Sequence, residues 1–152
     1  MIAYLGGPGF LGTHGSVGAD LSLVVMVVAS VMLSAGVVLA KAKRYAAHRW
    51  TQTAAVCLNA IPVAVWMIRS FWLYIVPGLP GDLSQGSYLL ATVHAAVGAI
   101  GVALGVSVAI RANQLEAKGE SLSRYRTAMR VSYGVYMLGV ILGVWLYVVT
   151  YG

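Results

Sequence analysis

Two ionisable side chains within long apolar segments, His94 and Arg69, are the strongest candidates for chemistry in this sequence. An imidazole beside a cation suits haem b, with His94 as the axial ligand and Arg69 paired with a propionate. The same region could instead bind copper through His14, His94 and Met67, because copper accepts imidazole and thioether ligands. A structural alternative pairs Arg69 with Asp20 and leaves His94 hydrogen-bonded to a neighbouring backbone. The sequence leaves all three interpretations open.

The depth of each residue in its segment indicates which groups can lie together. At a rise of 1.5 Å per residue, His94 lies about 10 Å inside the start of its segment. Arg69 and Trp66 lie near the end of the preceding segment, at a comparable depth. His48 stands at the opposite end, roughly 20 Å or more from His94 along the membrane normal. We therefore expect that the two histidines do not ligate the same metal ion or haem.

His48 defines a second candidate polar site, with Tyr125 or Arg126 from the start of the last segment as its partner. Two simpler interpretations are a solvated basic face and a surface for anionic lipid headgroups. The sequence does not separate these three possibilities.

The polar residues of the second apolar segment follow one helical stripe. Their spacing of four and three residues keeps one face turned towards a neighbouring helix. Asn59 lies on this stripe and joins Trp66, Arg69 and His94 as a candidate haem contact. Alternatively, Asn59 and Gln52 bond to other helices in structural contacts worth about 1 kcal/mol each. The stripe comprises His48, Gln52, Ala55, Asn59, Pro62, Trp66 and Arg69.

Glycines follow His94 on the third apolar segment. Gly98 lies one turn away, and Gly101 and Gly105 form a small-xxx-small pair. Such a pair allows two helix backbones to approach closely. The same lack of side chains could leave room for a flat ligand, so both interpretations stay open.

The segments that position these residues are too apolar for a soluble domain. The chain of 152 residues is 60% hydrophobic and 9% charged, against about 25% charged residues in a typical soluble domain. Each apolar run is continuous and reaches the roughly 20 residues that cross a bilayer as a helix. We therefore predict an all-α integral membrane protein, a four-helix antiparallel bundle over residues 20–152. The predicted helices are residues 21–40, 46–72, 87–110 and 127–151.

The remaining segments are predicted to connect and flank the helices. Residues 1–19 are Gly-rich and uncharged, which predicts an outward arm that lies on the bundle. Its apolar residues Tyr4, Leu5, Phe10 and Leu11 suit the outer interface. Residues 73–86 are predicted to form an outer loop, and residues 113–123 a polar inner linker. Asp20 is expected to satisfy free N–H groups at the start of the first helix.

The positive charge is concentrated in two places. Nine of the ten Lys and Arg residues lie within residues 41–49 and 111–130, which connect the first helix to the second and the third to the fourth. The positive-inside rule places both connections in the cytoplasm, so both termini face outward. The net charge of +6 therefore reflects topology, and no nucleic-acid partner is expected. We predict a multi-pass protein of a prokaryotic-type cytoplasmic (inner) membrane.

Three groups of residues resemble one known family. They are Ala47-His48-Arg49 with Arg69-Ser70-Phe71, residues 88–98 with His94, and Ser123-Arg124-Tyr125-Arg126 with Gly143-Val144-Trp145-Leu146-Tyr147. Over about residues 46–150, the chain resembles the small four-helix membrane proteins of domain-of-unknown-function family 420. That family includes YozB-like and CtaM-like proteins, and the latter are associated with maturation of haem-copper cytochrome oxidases.

The resemblance implies a role near haem or cytochrome oxidase biology. Two of the family's histidines and its arginine would fall on His48, His94 and Arg69. A further family histidine falls on Tyr125, and this departure argues against a histidine pair that includes His48. It leaves the site of Arg69 and His94 intact.

We therefore expect a small membrane protein of respiratory haem biology, either an oxidase maturation factor or a haem-bearing accessory subunit. The alternative is a non-catalytic structural subunit without a cofactor that packs against a larger membrane complex. In both cases the expected partners are the lipid bilayer and other membrane subunits of a respiratory or related complex. The protein is not expected to be an enzyme, since the sequence shows no nucleophile–base pair, carboxylate pair or HExxH motif.

Overall fold

A computed structural model describes residues 7–121 and 125–152 of the chain. Within these residues the structure is helical, and β-structure is limited to an isolated antiparallel bridge between Pro8 and Ser16. Four helices are long and apolar enough to cross a membrane, which confirms the predicted all-α class. They are α1 (Val17–Lys41), α2 (Tyr45–Gly78), α3 (Gly86–Ala117) and α4 (Arg126–Tyr151).

Helix α1 begins earlier than predicted because Ser16 caps it. The Ser16 hydroxyl accepts a hydrogen bond from the Ala19 N–H at 3.3 Å, which satisfies a donor that the first turn leaves free. Asp20 therefore lies inside the first turn and is not the cap. The helix ends at Lys41, in a stretch of basic residues that leads into α2.

Helix α2 is continuous but changes its winding. It is α-helical over Tyr45–Pro62 and Ile68–Ser70, π-helical over Val63–Met67 and Phe71–Ile75, and 3₁₀-helical over Val76–Gly78. Pro62 has no N–H to donate to the helical ladder, and the first wide turn begins directly after it. Each π-turn contains an extra residue, so the side chains beyond it are rotated from their positions in a regular α-helix.

Two predicted connections are partly helical. Helix α2 continues to Gly78 within the predicted outer loop, and α3 continues to Ala117 within the predicted linker of residues 113–123. Contacts with α2 hold the extension of α3: Asn113 Nδ2 donates to Thr53 Oγ1 at 3.2 Å, and Arg49 pairs with Glu116 at 2.7 Å. Residues 122–124 of the linker and residues 1–6 of the predicted arm lie outside the described part.

The helices meet through small residues. Helix α1 packs against α2 and α3 against α4, with further contacts between α1 and α4 and between α2 and α3. Lipid tails are as apolar as leucine side chains, so membrane helices associate through close packing of small groups. The buried residues of α1 recur every three or four positions, which places them on one face. This face includes Gly18, Ser22, Met26, Ala29, Leu33 and Gly36.

Candidate functional site

The first half of the polar stripe on α2 faces α1. His48 Nδ1 lies 2.7 Å from the Gly36 carbonyl oxygen, and Gln52 Nε2 donates to the Leu33 carbonyl at 2.9 Å. Gly36 permits this approach, since a Cβ there would stand 2.9 Å from Gln52 Cδ. Asn59 is buried farther along the same stripe. These bonds show that His48 and Gln52 act as structural contacts between two helices.

The stripe changes direction at the π-turns. Trp66 still packs on α1, where a Cβ on Gly18 would stand 2.7 Å from Trp66 Cζ2. Arg69, predicted on the same stripe, is exposed instead. The turn Val63–Met67 adds a residue to the helix, so the regular spacing no longer predicts the direction of Arg69.

His94 lies where α1, α3 and α4 meet. Its Nδ1 is 3.1 Å from the Gly139 carbonyl oxygen of α4, and its Cε1 is 2.8 Å from the point where a Cβ on Gly143 would lie. The Met26 Sδ of α1 is also 2.8 Å from that point. Because a carbonyl oxygen only accepts, a neutral imidazole here carries its hydrogen on Nδ1 and keeps a lone pair on Nε2. Metal-ligating histidines are commonly held in this way.

The glycines after His94 differ in the space beside them. A Cβ on Gly98 would meet no heavy atom within 4 Å. A Cβ on Gly101 would instead lie 3.7 Å from Tyr136 Cα of α4, and one on Gly105 would meet side chains of α2 and α4. Close helix packing therefore accounts for Gly101 and Gly105. The Nε2 lone pair of His94 suits a haem iron and the position beside Gly98 is open, whereas helix packing fills the positions beside Gly101 and Gly105.

Comparison with known proteins identifies no relative. No protein family, curated protein or solved structure matches this chain. The resemblance to domain-of-unknown-function family 420 therefore rests on the sequence motifs alone, and function is inferred from the site.

The predicted copper ligands His14 and His94 lie far apart. His14 is exposed, and its backbone N–H donates to the Tyr151 carbonyl at 3.1 Å. His94 contacts the Gly139 carbonyl, which lies 12 residues earlier in α4, or about 18 Å along the helix axis. Two imidazoles that share one ion must lie within a few ångströms of each other, so the predicted copper site is not formed as proposed.

The third predicted copper ligand, Met67, belongs to the π-turn Val63–Met67 of α2. The thioether that lies beside His94 is Met26 of α1. Within the two described ranges, no group of three or more His, Cys, Asp or Glu side chains is placed to hold a metal ion. Sequence reasoning missed Met26, although its spacing from Gly18, Ser22 and Ala29 marks it as part of the packed face of α1.

A buried carboxylate joins the first described residues to α1 and α4. Asp20 is 0% exposed, and its Oδ2 accepts hydrogen bonds from the N–H groups of Phe10 at 2.6 Å and Leu11 at 2.7 Å. Its Oδ1 accepts a short hydrogen bond from the Tyr147 hydroxyl, which lies 2.6 Å from Thr13 Oγ1. The prediction that Asp20 satisfies the free N–H groups of its own helix is therefore wrong. Its carboxylate accepts from the N–H groups of residues 10 and 11 instead.

Arg69 is separate from this carboxylate. Among the described residues, no hydrogen bond or ion pair joins Arg69 to Asp20 or to His94. The predicted structural pair of Arg69 and Asp20 is therefore not formed. Asp20 accepts hydrogen bonds from Phe10, Leu11 and Tyr147 instead. The pairing of Arg69 with a haem propionate stays a prediction.

The predicted polar site of His48 and Tyr125 consists of two separate contacts. The Tyr125 hydroxyl accepts a hydrogen bond from Arg111 Nε at 3.1 Å, within the basic end of the molecule. His48 bonds instead to the Gly36 carbonyl of α1. The two side chains therefore have different partners on different helices.

Proposed function

We propose that this chain is a multi-pass protein of a prokaryotic-type cytoplasmic membrane, with antiparallel helices and both termini on the outer side. The order of contacts supports the antiparallel packing of α1 and α2. His48, near the start of α2, contacts Gly36 near the end of α1, whereas Trp66, later in α2, contacts Gly18. The basic residues between α1 and α2 and between α3 and α4 support an inner location for those connections.

We further propose that the protein serves respiratory haem biology, as a maturation factor for cytochrome oxidase or as a haem-bearing accessory subunit. One observation carries this proposal. His94 is oriented through Nδ1 by the Gly139 carbonyl and keeps a lone pair on Nε2, and Gly98 leaves open space one turn away. The sequence motifs that resemble domain-of-unknown-function family 420 also support a role in haem biology.

Each residue has a distinct role in this proposal. His94 would hold the haem iron through Nε2, the Gly139 carbonyl orients its ring, and Arg69 would supply a cation for a propionate. Haem b, when bound, supplies a redox-active iron. Trp66 contributes mainly to the contact of α2 with α1, since its ring covers Gly18.

Reconstitution with haem b tests the role of His94. We expect the purified protein to give a reduced-minus-oxidised visible spectrum that is lost or shifted in His94→Ala. Removing the ligand should weaken haem binding by more than the roughly 10–100-fold typical of losing a residue that only orients a ligand. His48→Ala is the matched control, because His48 has the same Nδ1–carbonyl contact at 2.7 Å and should leave the spectrum unchanged. A folded parent protein that takes up no haem would refute the proposal.

A second candidate function, a non-catalytic subunit of a larger membrane complex, is favoured by the exposure of Arg69. Its neighbours Ile68 and Trp72 are also exposed, so a cation stands on an apolar outer surface of α2. Ionisable residues within membrane segments usually face a protein partner or a polar cavity, because exposure to hydrocarbon is expensive. This surface therefore fits a partner subunit that carries an acidic group.

Co-purification from native membranes in mild detergent tests the second candidate. If Arg69 contacts a partner subunit and not a haem propionate, Arg69→Gln should reduce recovery of the larger complex without changing helix content or any haem spectrum. Arg126→Gln is the control, because Arg126 is also exposed but lies at the basic end of α4. A wild-type protein that is recovered alone and monodisperse would argue against this function.

A further inference from the structure

The first described residues form a compact loop, residues 7–16, called here the N-terminal loop. The Gly9 N–H donates to the Gly15 carbonyl at 2.9 Å, and the Val17 N–H donates to the Gly7 carbonyl at 3.0 Å. A side chain on Gly9 would obstruct this closure, since its Cβ would stand 2.6 Å from the Gly15 oxygen. The loop contains no Asp, Glu, Lys or Arg. It is therefore a fixed and uncharged structure at the start of α1.

Asp20, which holds the loop, stands on the exposed face of α1. Residues at spacings of four, seven and eleven share one side of a helix, and Val24, Val27 and Val31 occupy those positions after Asp20. All three are exposed, Val31 by 62%. The buried face of α1, with Ser22, lies on the other side. Asp20 is thus buried by the N-terminal loop and Tyr147 and not by its position on the helix.

The contacts of Asp20 determine where the loop lies. Phe10 and Leu11 both donate their N–H groups to Asp20 Oδ2, so these residues lie beside the first turn of α1, on the side that Asp20 occupies. Their side chains are 58% and 43% exposed. Two adjacent bulky apolar side chains on an uncharged loop, at the end of a membrane helix, are typical of a segment at the boundary of headgroups and acyl chains.

We infer that the N-terminal loop is a membrane-interface anchor, in which Asp20 holds Phe10 and Leu11 so that their side chains insert into the lipid beside α1. The partner is the outer lipid leaflet, because the loop continues the lipid-facing surface formed by Val24, Val27 and Val31. This inference rests on the membrane placement proposed above and does not depend on haem binding.

Site-directed fluorescence in vesicles tests the anchor. The single cysteine, Cys57, is replaced in a Cys57→Ser parent, and Phe10→Cys, Leu11→Cys, His14→Cys and Val31→Cys are each labelled with an NBD fluorophore. The labelled proteins are reconstituted into phosphatidylcholine vesicles. We expect blue-shifted emission from labels at 10 and 11 relative to the label at 14. Lipid nitroxides near the headgroup should quench those two labels more than nitroxides deep in the acyl chains.

The label at position 31 separates failure of the anchor from failure of the membrane placement. If it is quenched by deep lipid nitroxides while labels at 10 and 11 are quenched by aqueous iodide as strongly as the label at 14, the anchor is overturned and the membrane placement stands. If the label at 31 is itself accessible to iodide, the placement and the anchor both fail. Positions 10 and 11 are labelled in separate variants, so that each labelled protein keeps the other apolar side chain of the pair.

Discussion

Replacing Asp20 with alanine is expected to release the N-terminal loop and to loosen the contact of α1 with α4. The carboxylate accepts hydrogen bonds from Phe10, Leu11 and Tyr147. Alanine leaves the N–H groups of Phe10 and Leu11 without this acceptor, whereas the Tyr147 hydroxyl keeps Thr13 Oγ1 at 2.6 Å. A buried donor without an acceptor costs on the order of 1–3 kcal/mol. Chymotrypsin cleavage after Phe10 or Leu11, followed by mass spectrometry in detergent, should therefore accelerate by at least about tenfold, since cleavage tracks the population of the open form.

Two variants separate this effect from a general loss of charge. Tyr147→Phe removes one donor but leaves the bonds from Phe10 and Leu11, so cleavage should accelerate less than in Asp20→Ala. Asp82→Ala removes a different carboxylate, which lies between α2 and α3 and accepts a hydrogen bond from Gln85. This substitution should leave cleavage unchanged. If Asp20→Ala retains its helix content and is cleaved at the parent rate, the carboxylate does not hold the loop.

The four helices could be predicted because a continuous apolar run is a local feature of the sequence. Several helix ends could not be predicted, because they depend on contacts with other helices. Continuous apolar runs alone indicate membrane helices. The end of α3 depends on contacts with α2, in which Arg49 pairs with Glu116 and Asn113 bonds to Thr53. A polar stretch after an apolar helix is equally consistent with a linker until those partners are known.

The candidate site was predictable only where helical periodicity holds. The stripe on α2 correctly turns His48 and Gln52 towards α1, because the helix keeps a regular period up to the first π-turn. Trp66, inside that turn, still packs on α1. Arg69 lies beyond that turn, and its exposure depends on an extra residue that no composition rule identifies.

The contacts of Asp20 and His94 could not be predicted from the sequence, for a different reason. Asp20 and Tyr147 are separated by 127 residues, and Met26 meets His94 only because both pack on Gly143. Such pairs are set by the arrangement of the helices and not by the spacing within any one of them. A single charged residue on the apolar face of α1 was the available signal for Asp20, since an exposed carboxylate there requires donors from elsewhere in the chain.

Replacing Gly18 with alanine is expected to have the largest effect of any single added methyl group on α1. Its Cβ would stand 2.7 Å from Trp66 Cζ2 and would also press on neighbouring atoms of the rigid indole. Trp66 cannot yield as a flexible side chain does, so α1 and α2 must separate at this level. Overpacking of this kind typically costs about 1–3 kcal/mol. Thermal unfolding of the purified protein in one detergent should show a lower midpoint for Gly18→Ala.

Gly134→Ala is the matched control, because Gly134 lies inside α4 and a Cβ there would meet no heavy atom within 4 Å. This substitution should preserve or raise the midpoint, since alanine is favoured over glycine in a helix interior by up to about 1 kcal/mol. Adding Trp66→Phe to Gly18→Ala should recover part of the loss, because the smaller ring makes room for the methyl group. If Gly18→Ala and Gly134→Ala unfold at the same midpoint, α1 and α2 do not approach closely at Gly18. If the loss in the double variant equals the sum of the losses in the two single variants, Gly18 and Trp66 do not couple, and the loss in Gly18→Ala comes from something other than the indole.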